Sequence, residues 1–210
     1  GNPLSTTAYY CLIAHLERTY GVHYAMGGTG ALIRGMVKLL ESKGAQLRCK
    51  SEVRRITTHA GRATGVELAS GEHIAADVVV SNAEVAWTYS KLLADYPRKR
   101  WTDAKLARSA YSMSLFVWYF GTDKRYEDVY HHVMLFSDRY KGLLGDIFDR
   151  KVLADDFSLY LHRPTASDPS LAPPGCDAFY VLSPVPNLKG GADWSKVAET
   201  YRQSIQRHLE

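Results

Sequence analysis

The 210-residue chain predicts an α+β fold with mixed α/β character. Three observations carry the prediction. Helical apolar stripes lie at both ends. A run of short strand-like segments separated by turn residues follows the second stripe. Two longer segments, 111–120 and 157–162, alternate their apolar residues with period two, which suits strands with two different faces.

In chain order, Ser5 or Thr6 is placed to cap a first helix whose stripe is Tyr9, Leu12, Ile13 and Leu16, closed by Gly21. An extended piece over 22–26 leads to Gly27-Gly28, where the chain turns into a second helix. That helix is capped near Thr29, carries Leu32, Met36, Leu39 and Leu40 on one side, and ends at Gly44. Strands are expected over 46–50, 52–57 and 64–69, then a hairpin turn at Ser70-Gly71 and a strand over 73–81. The run Val78, Val79, Val80 reads as covered on both faces. Residues 87–109 are helical in pattern and broken at Pro97. In the strand over 111–120, Tyr111, Met113, Leu115, Val117 and Tyr119 share one face, and Ser112, Ser114, Phe116, Trp118 and Phe120 the other. A weaker strand over 131–136 precedes a helix opened by Ser137-Asp138 and containing Leu143, Leu144, Ile147 and Phe148. Phe157, Leu159 and Leu161 alternate with Ser158, Tyr160 and His162. A long loop over 163–176, stiffened by Pro164, Pro169, Pro173 and Pro174, separates this strand from the next at 178–183. The last helix shows the stripe Trp194, Val197, Tyr201, Ile205 and Leu209.

Composition is globular: 46% of residues are hydrophobic and 23% charged, which excludes a disordered or collagen-like chain. The net charge of +4 is too weak to argue for nucleic acid as a partner. Cys11, Cys49 and Cys176 are widely spaced and odd in number, so no disulfide framework is expected and a reduced, cytoplasmic setting is. No apolar run is long enough to span a bilayer; a protein of this kind acting on lipid would lie on the membrane. The chain starts without Met and stops inside a helical stripe, which reads as a piece from the middle of a longer protein.

Gly27-Gly28 opens a helix, and helix N-termini offer free N–H groups to phosphate or an electron-rich ring edge. The competing reading is a plain turn, because Gly27-Gly28-Thr29-Gly30 lacks the spacing of a dinucleotide fingerprint. His131-His132 is not expected to hold a metal, since neighbours on a strand point to opposite faces. His15, His23, His59 and His73 lack ligand spacing, and Asp155-Asp156 reads as a solvated pair. Arg98, Lys99, Arg100 and Trp101 combine basic charge with an indole. That combination suits an anionic membrane surface, the alternative being a solvated loop. No residue stands out as a catalytic acid or base.

The segment S-L-Y-L-H-x-P-x-x-x-D-P-S-L-A-P-x-G, followed by a strand ending L-S-P-V-P, resembles the bacterial-type phytoene desaturases of the amine-oxidase-like flavoprotein superfamily. So do Y-x-M-G-G-T-G-A-L-I-x-G-M-x-x-L, S-E-V-x-x-I, G-x-x-L-x-S-G and A-D-x-V-V-S-N-A over 24–83. The resemblance implies an FAD-dependent oxidoreductase of carotenoid biosynthesis. Its activity would be desaturation of a C40 carotene, such as phytoene to neurosporene or lycopene, by hydride transfer to flavin. Quinone or oxygen would accept the electrons, and the enzyme would be peripheral on the cytoplasmic membrane. A carotenoid isomerase or oxygenase on the same scaffold, or a non-catalytic lipid-binding piece, is the alternative.

By the same resemblance, 22–85 is a partial FAD-binding domain containing a three-stranded meander and a helix. Residues 1–21 and 86–210 form an antiparallel-sheet substrate domain with helices. Gly27, Gly28, Val53, Ser81, Asn82 and Ala83 are the implied cofactor neighbours. Phe116, Trp118, Tyr160 and Tyr180 are candidates to line a substrate tunnel, the face bearing Ser112, Ser114, Phe116 and Trp118 being the one expected to approach substrate. The glycine-rich fingerprint and a second flavin-binding stretch do not occur in these residues, so the chain alone is expected to be inactive.

Overall fold

The computed structural model describes residues 2–5, 8 and 11–210. Thr6 and Tyr9, read as a cap and a stripe residue, lie outside them. The chain packs as two units, one of residues 1–38 with 111–210 and one of residues 39–110. These packing boundaries differ from the 22–85 division that the resemblance implies.

In the first unit, α1 (Cys11–Tyr20) closes at Gly21 with φ of 79°. The second helix, α2 (Gly28–Ser42), starts one residue before Thr29, which therefore does not cap it. The carboxylate of Asp168, 141 residues away, accepts the Gly27 N–H at 2.6 Å instead. Neither helix has a buried residue among those described.

The sheet of this unit is antiparallel, in the order β4 (Ser114–Thr122), β7 (Asp177–Val185), β6 (Leu159–His162), β5 (His132–Leu135). The register sets Phe116 opposite Ser183, Trp118 opposite Val181 and Phe120 opposite Phe179. These residues share a face with Leu159 and Leu161, and α6 (Trp194–Leu209) covers it with Tyr201 and Ile205. Leu159, Val181 and Ile205 are fully buried. Phe116 lies edge-on to Tyr201 at 5.2 Å between ring centres and stacks on Trp194 at 5.8 Å.

The period-two reading of β4 therefore holds, but the faces are exchanged. Phe116 and Trp118 are half-buried against the core, Trp118 also lining a cavity of about 520 Å³ with Phe120, Leu161 and Phe179, and Leu115, Val117 and Tyr119 are exposed on the other side. The reason is non-local. The stripe of α6 is apolar and aromatic, and it takes up the face with the larger rings, which bury more area per residue. α5 (Tyr140–Gly145), continued by a π-helical turn over Asp146–Arg150, buries Leu143, Leu144 and Ile147 as its pattern predicts.

The second unit contains the meander β1 (Val53–His59), β2 (Arg62–Leu68) and β3 (His73–Ala75), antiparallel in sequence order. Ala60 and Gly61, with φ of 49° and 80°, make a two-residue turn whose twist matches the strands. The strand expected over 46–50 is absent. The strand expected over 73–81 stops at Ala75, and Val78 and Val80 are 75% and 87% exposed. A β-branched run becomes a strand only where another strand takes up its backbone groups, and no described residue does so here. α3 (Val85–Trp87) runs into a π-helical turn over Thr88–Leu92, and α4 (Asp103–Arg108) follows the break around Pro97. Thr102 caps α4 by accepting the Lys105 N–H.

Candidate functional site

Within the 39–110 unit, Val53, Ser81, Asn82 and Ala83 converge on one cleft of about 350 Å³, floored by Val66 and walled by Trp87. Val53 opens β1 where its register against β2 slips. The segment 81–83 is held in place at two points: Ser81 Oγ shares a 2.8 Å hydrogen bond with Thr88 Oγ1, and Thr88 Oγ1 also donates to the Ala83 carbonyl at 3.4 Å. The mostly apolar walls suit a flat heteroaromatic ring. The cleft is far smaller than a dinucleotide, so these residues fit one part of FAD and not the whole.

Gly27 and Gly28 lie in the other unit. Both have positive φ, 82° and 69°, so the turn itself requires glycine. A side chain at Gly27 would also press on Ala31 Cβ at 3.2 Å. The Gly27 N–H is already taken by Asp168. Hydrogen bonds from Ser170 and from the Gly27 N–H hold the Asp168 carboxyl below its usual range.

The long loop after β6 is pinned by a buried cluster. Arg163 Nε donates to Asp177 Oδ2 at 2.8 Å and its Nη1 to the Val129 carbonyl at 2.7 Å. Thr165 Oγ1 and the Tyr126 N–H complete the shell of Asp177 at 2.6 and 2.8 Å. Arg163 Nη2 reaches only to 3.8 Å from the Glu127 carboxylate. Burial pushes the Asp177 carboxyl up, but the donors from Thr165, Tyr126 and Arg163 together outweigh it, and the net direction is down.

The face of the sheet opposite α6 carries Tyr119, Tyr160, Tyr180, His132 and His162. Tyr160 and Tyr180, two of the four tunnel candidates, are here, their ring centres 5.8 Å apart. Desolvation, reinforced by Tyr180, pushes the Tyr160 phenol up to about 12. His132 and His162 face each other across β5 and β6. His131 does not alternate with His132, because it precedes β5 and is not part of the ladder. The two rings stack at 4.4 Å, and one nitrogen from each of His131, His132 and His162 lies within 4.8 Å of the others. The two rings thus lie together, where the sequence argument sets them on opposite faces. Strand alternation starts only at His132, and His162 joins the pair from a strand remote in sequence. Desolvation first, then the neighbouring imidazoles, lowers His162 to about 4 and His131 below its usual value, so these rings are neutral at physiological pH.

In the basic cluster, Arg98 is engaged by the Trp101 carbonyl at 3.1 Å and Asp103 at 2.9 Å. Trp101 stacks on Tyr89 at 5.8 Å, and the Lys105 ammonium sits 4.6 Å from its ring centre. Lys99 and Arg100 are exposed. Of the proposed membrane group, two charges face outward and the indole is half-buried. No helix among the described residues is long and apolar enough to cross a membrane.

Two antiparallel sheets carrying helices, with a cleft beside the meander, make this a mixed α+β fold. Residues 1–181 match the family described as flavin containing amine oxidoreductase, and the chain belongs to that family. Over its whole length it is 49% identical to the neurosporene-forming phytoene desaturase of Cereibacter sphaeroides and 45% identical to the lycopene-forming phytoene desaturase of Pseudescherichia vulneris, spanning 42% and 43% of those proteins. An oxidoreductase from Methanosarcina mazei shares the fold, with a TM-score of 0.62 at 19% identity over 88% of this chain and 38% of that one.

Proposed function

We propose that this chain is the central part of an FAD-dependent carotene desaturase. The observation that carries the reading is the end-to-end match at 45–49% identity to phytoene desaturases. FAD, when bound, supplies the hydride acceptor. The chain's own contribution is to seat a ring edge against the Val53 backbone and the 81–83 segment, and to present an apolar surface to the polyene. The desaturation removes a hydride from an allylic carbon and a proton from the carbon beside it, leaving a new double bond. Leu115, Val117, Tyr119, Tyr160 and Tyr180 on the open sheet face supply the apolar area that a chargeless polyene needs, at about 25 cal/mol per Å². Phe116 and Trp118 lie on the opposite face, half-buried against α6, where Trp118 lines a cavity of about 520 Å³. Lys99 and Arg100 suit attraction to an anionic cytoplasmic leaflet, and a quinone or oxygen would take the electrons onward.

The test is spectroscopic and chemical. The full-length protein should purify with flavin absorbance and convert phytoene in liposomes to more conjugated products. Asn82→Trp, which fills the cleft, should lose flavin while keeping the melting behaviour of the 111–210 sheet. Absence of both flavin and new product would overturn the proposal. Replacing Lys99 and Arg100 with Ser should reduce co-sedimentation with anionic vesicles; unchanged binding removes that surface.

A further inference from the structure

We propose that His131, His132 and His162 bind one divalent transition-metal ion of the zinc class, on the sheet face opposite α6. This inference is independent of the desaturase reading. Nδ1 of His132 and Nδ1 of His162 are 3.4 Å apart. That separation matches the edge of a tetrahedron built on metal–nitrogen bonds of about 2.0–2.1 Å. Nε2 of His131 is buried and has no hydrogen-bond partner. A metal supplies the partner this nitrogen lacks.

The surroundings hold the rings where a metal needs them. His132 and His162 are registered opposite each other on adjacent strands. The His131 carbonyl accepts the Arg163 N–H at 2.9 Å, which fixes its backbone. Its other nitrogen, Nδ1, bonds the Ser167 hydroxyl, the outer-sphere contact that orients a ligating imidazole. The Tyr160 hydroxyl now engages Nδ1 of His132, and the metal displaces it. Three imidazoles without a carboxylate favour zinc, copper or nickel over magnesium or calcium. A bound ion would tie the edge strand β5 to β6 and to the loop carrying Ser167, so it would stabilise this unit.

The experiment uses the tag-free, chelator-treated full chain, titrated calorimetrically with zinc chloride and, separately, magnesium chloride, with cobalt substitution read by visible absorbance. One equivalent of zinc, no magnesium binding, a cobalt spectrum of tetrahedral type and a zinc-dependent rise in melting temperature are expected. His162→Gln and His132→Gln should each weaken zinc binding at least tenfold. Ser167→Ala should weaken it about tenfold, and His73→Gln, in the meander, should leave it unchanged. His132 is exposed, so its variant decides the matter if His162→Gln does not fold. No saturable zinc uptake, or equal uptake by the wild type and the His132→Gln variant, overturns the assignment.

Discussion

The two packing units hold themselves together by different means. In the 111–210 sheet, one face closes on α6 and buries Leu159, Val181, Val185 and Ile205, and the loop beyond β6 is locked by the buried Arg163–Asp177 pair. In the 39–110 unit, burial is sparse: Leu68, Leu92 and Leu106 are the buried apolar residues among those described, while Val78 and Val80 lie open. The first unit relies on side-chain burial. The second relies on backbone pairing and on Glu67, whose carboxylate gathers Arg55 at 2.7 Å, Arg54 at 3.4 Å and His73 at 3.6 Å. Substitutions that remove side-chain mass should therefore damage the first far more than the second, and backbone clashes should do the reverse.

The largest effect is expected at Asp177. Asp177→Asn strands the buried Arg163 charge and should cost about 3–5 kcal/mol in denaturant unfolding. The pH dependence follows from sign. The folded carboxyl lies below its unfolded range, so its contribution is complete above that range and is lost as pH falls through the depressed value. Melting curves of the wild type should fall with acid over that window, and those of the variant should be flatter. Equal slopes would show that Asp177 contributes no such linkage. Next comes Ile205→Ala, which empties a fully buried site against the sheet and should cost about 2–5 kcal/mol.

These two residues also mark how much was legible in the sequence. Ile205 was readable, because a helical stripe needs only local spacing. So were the meander, the alternation in β4 and the order of the elements. The Arg163–Asp177 clip and the Asp168 cap on α2 were not, because each joins residues that only the fold brings together. The faces of β4 were exchanged for the same cause: spacing separates two faces but does not say which one α6 will cover. At the candidate site, Val53, Ser81, Asn82 and Ala83 were named from the resemblance and do meet at one cleft. The histidine group was missed because His162 lies on another strand.

In the meander the sharpest test is Gly65→Ala. Gly65 has φ of 148°, and an added Cβ would run into the Ile74 carbonyl oxygen on β3. The backbone must shift, at a cost of about 1–3 kcal/mol, and hydrogen exchange should rise in β2 and β3 while the amides of β6 and β7 stay protected. Exchange rising equally in both sheets would mean that the units unfold together.

The smallest effect is expected for Glu67→Gln, and it completes the contrast with Asp177. Each carboxylate is nearly buried and pairs with arginine, yet their settings differ. Arg163 is 2% exposed, whereas the side chains of Arg54 and Arg55 are 70% and 48% exposed. Removing the charge at Glu67 leaves cations that water can take over, so little desolvation goes uncompensated. The hydrogen bond from Arg55, the leading influence, holds the Glu67 carboxyl below its usual range. Its contribution is therefore present at neutral pH and fades as pH falls through that lowered value. Raising salt at neutral pH should erase most of the difference between Glu67→Gln and wild type in thermal melts, and should leave the Asp177→Asn difference largely intact. A salt-insensitive loss at Glu67 would mean that its pairs are shielded from water as Asp177 is, and the division between the two units would then lie in apolar burial alone.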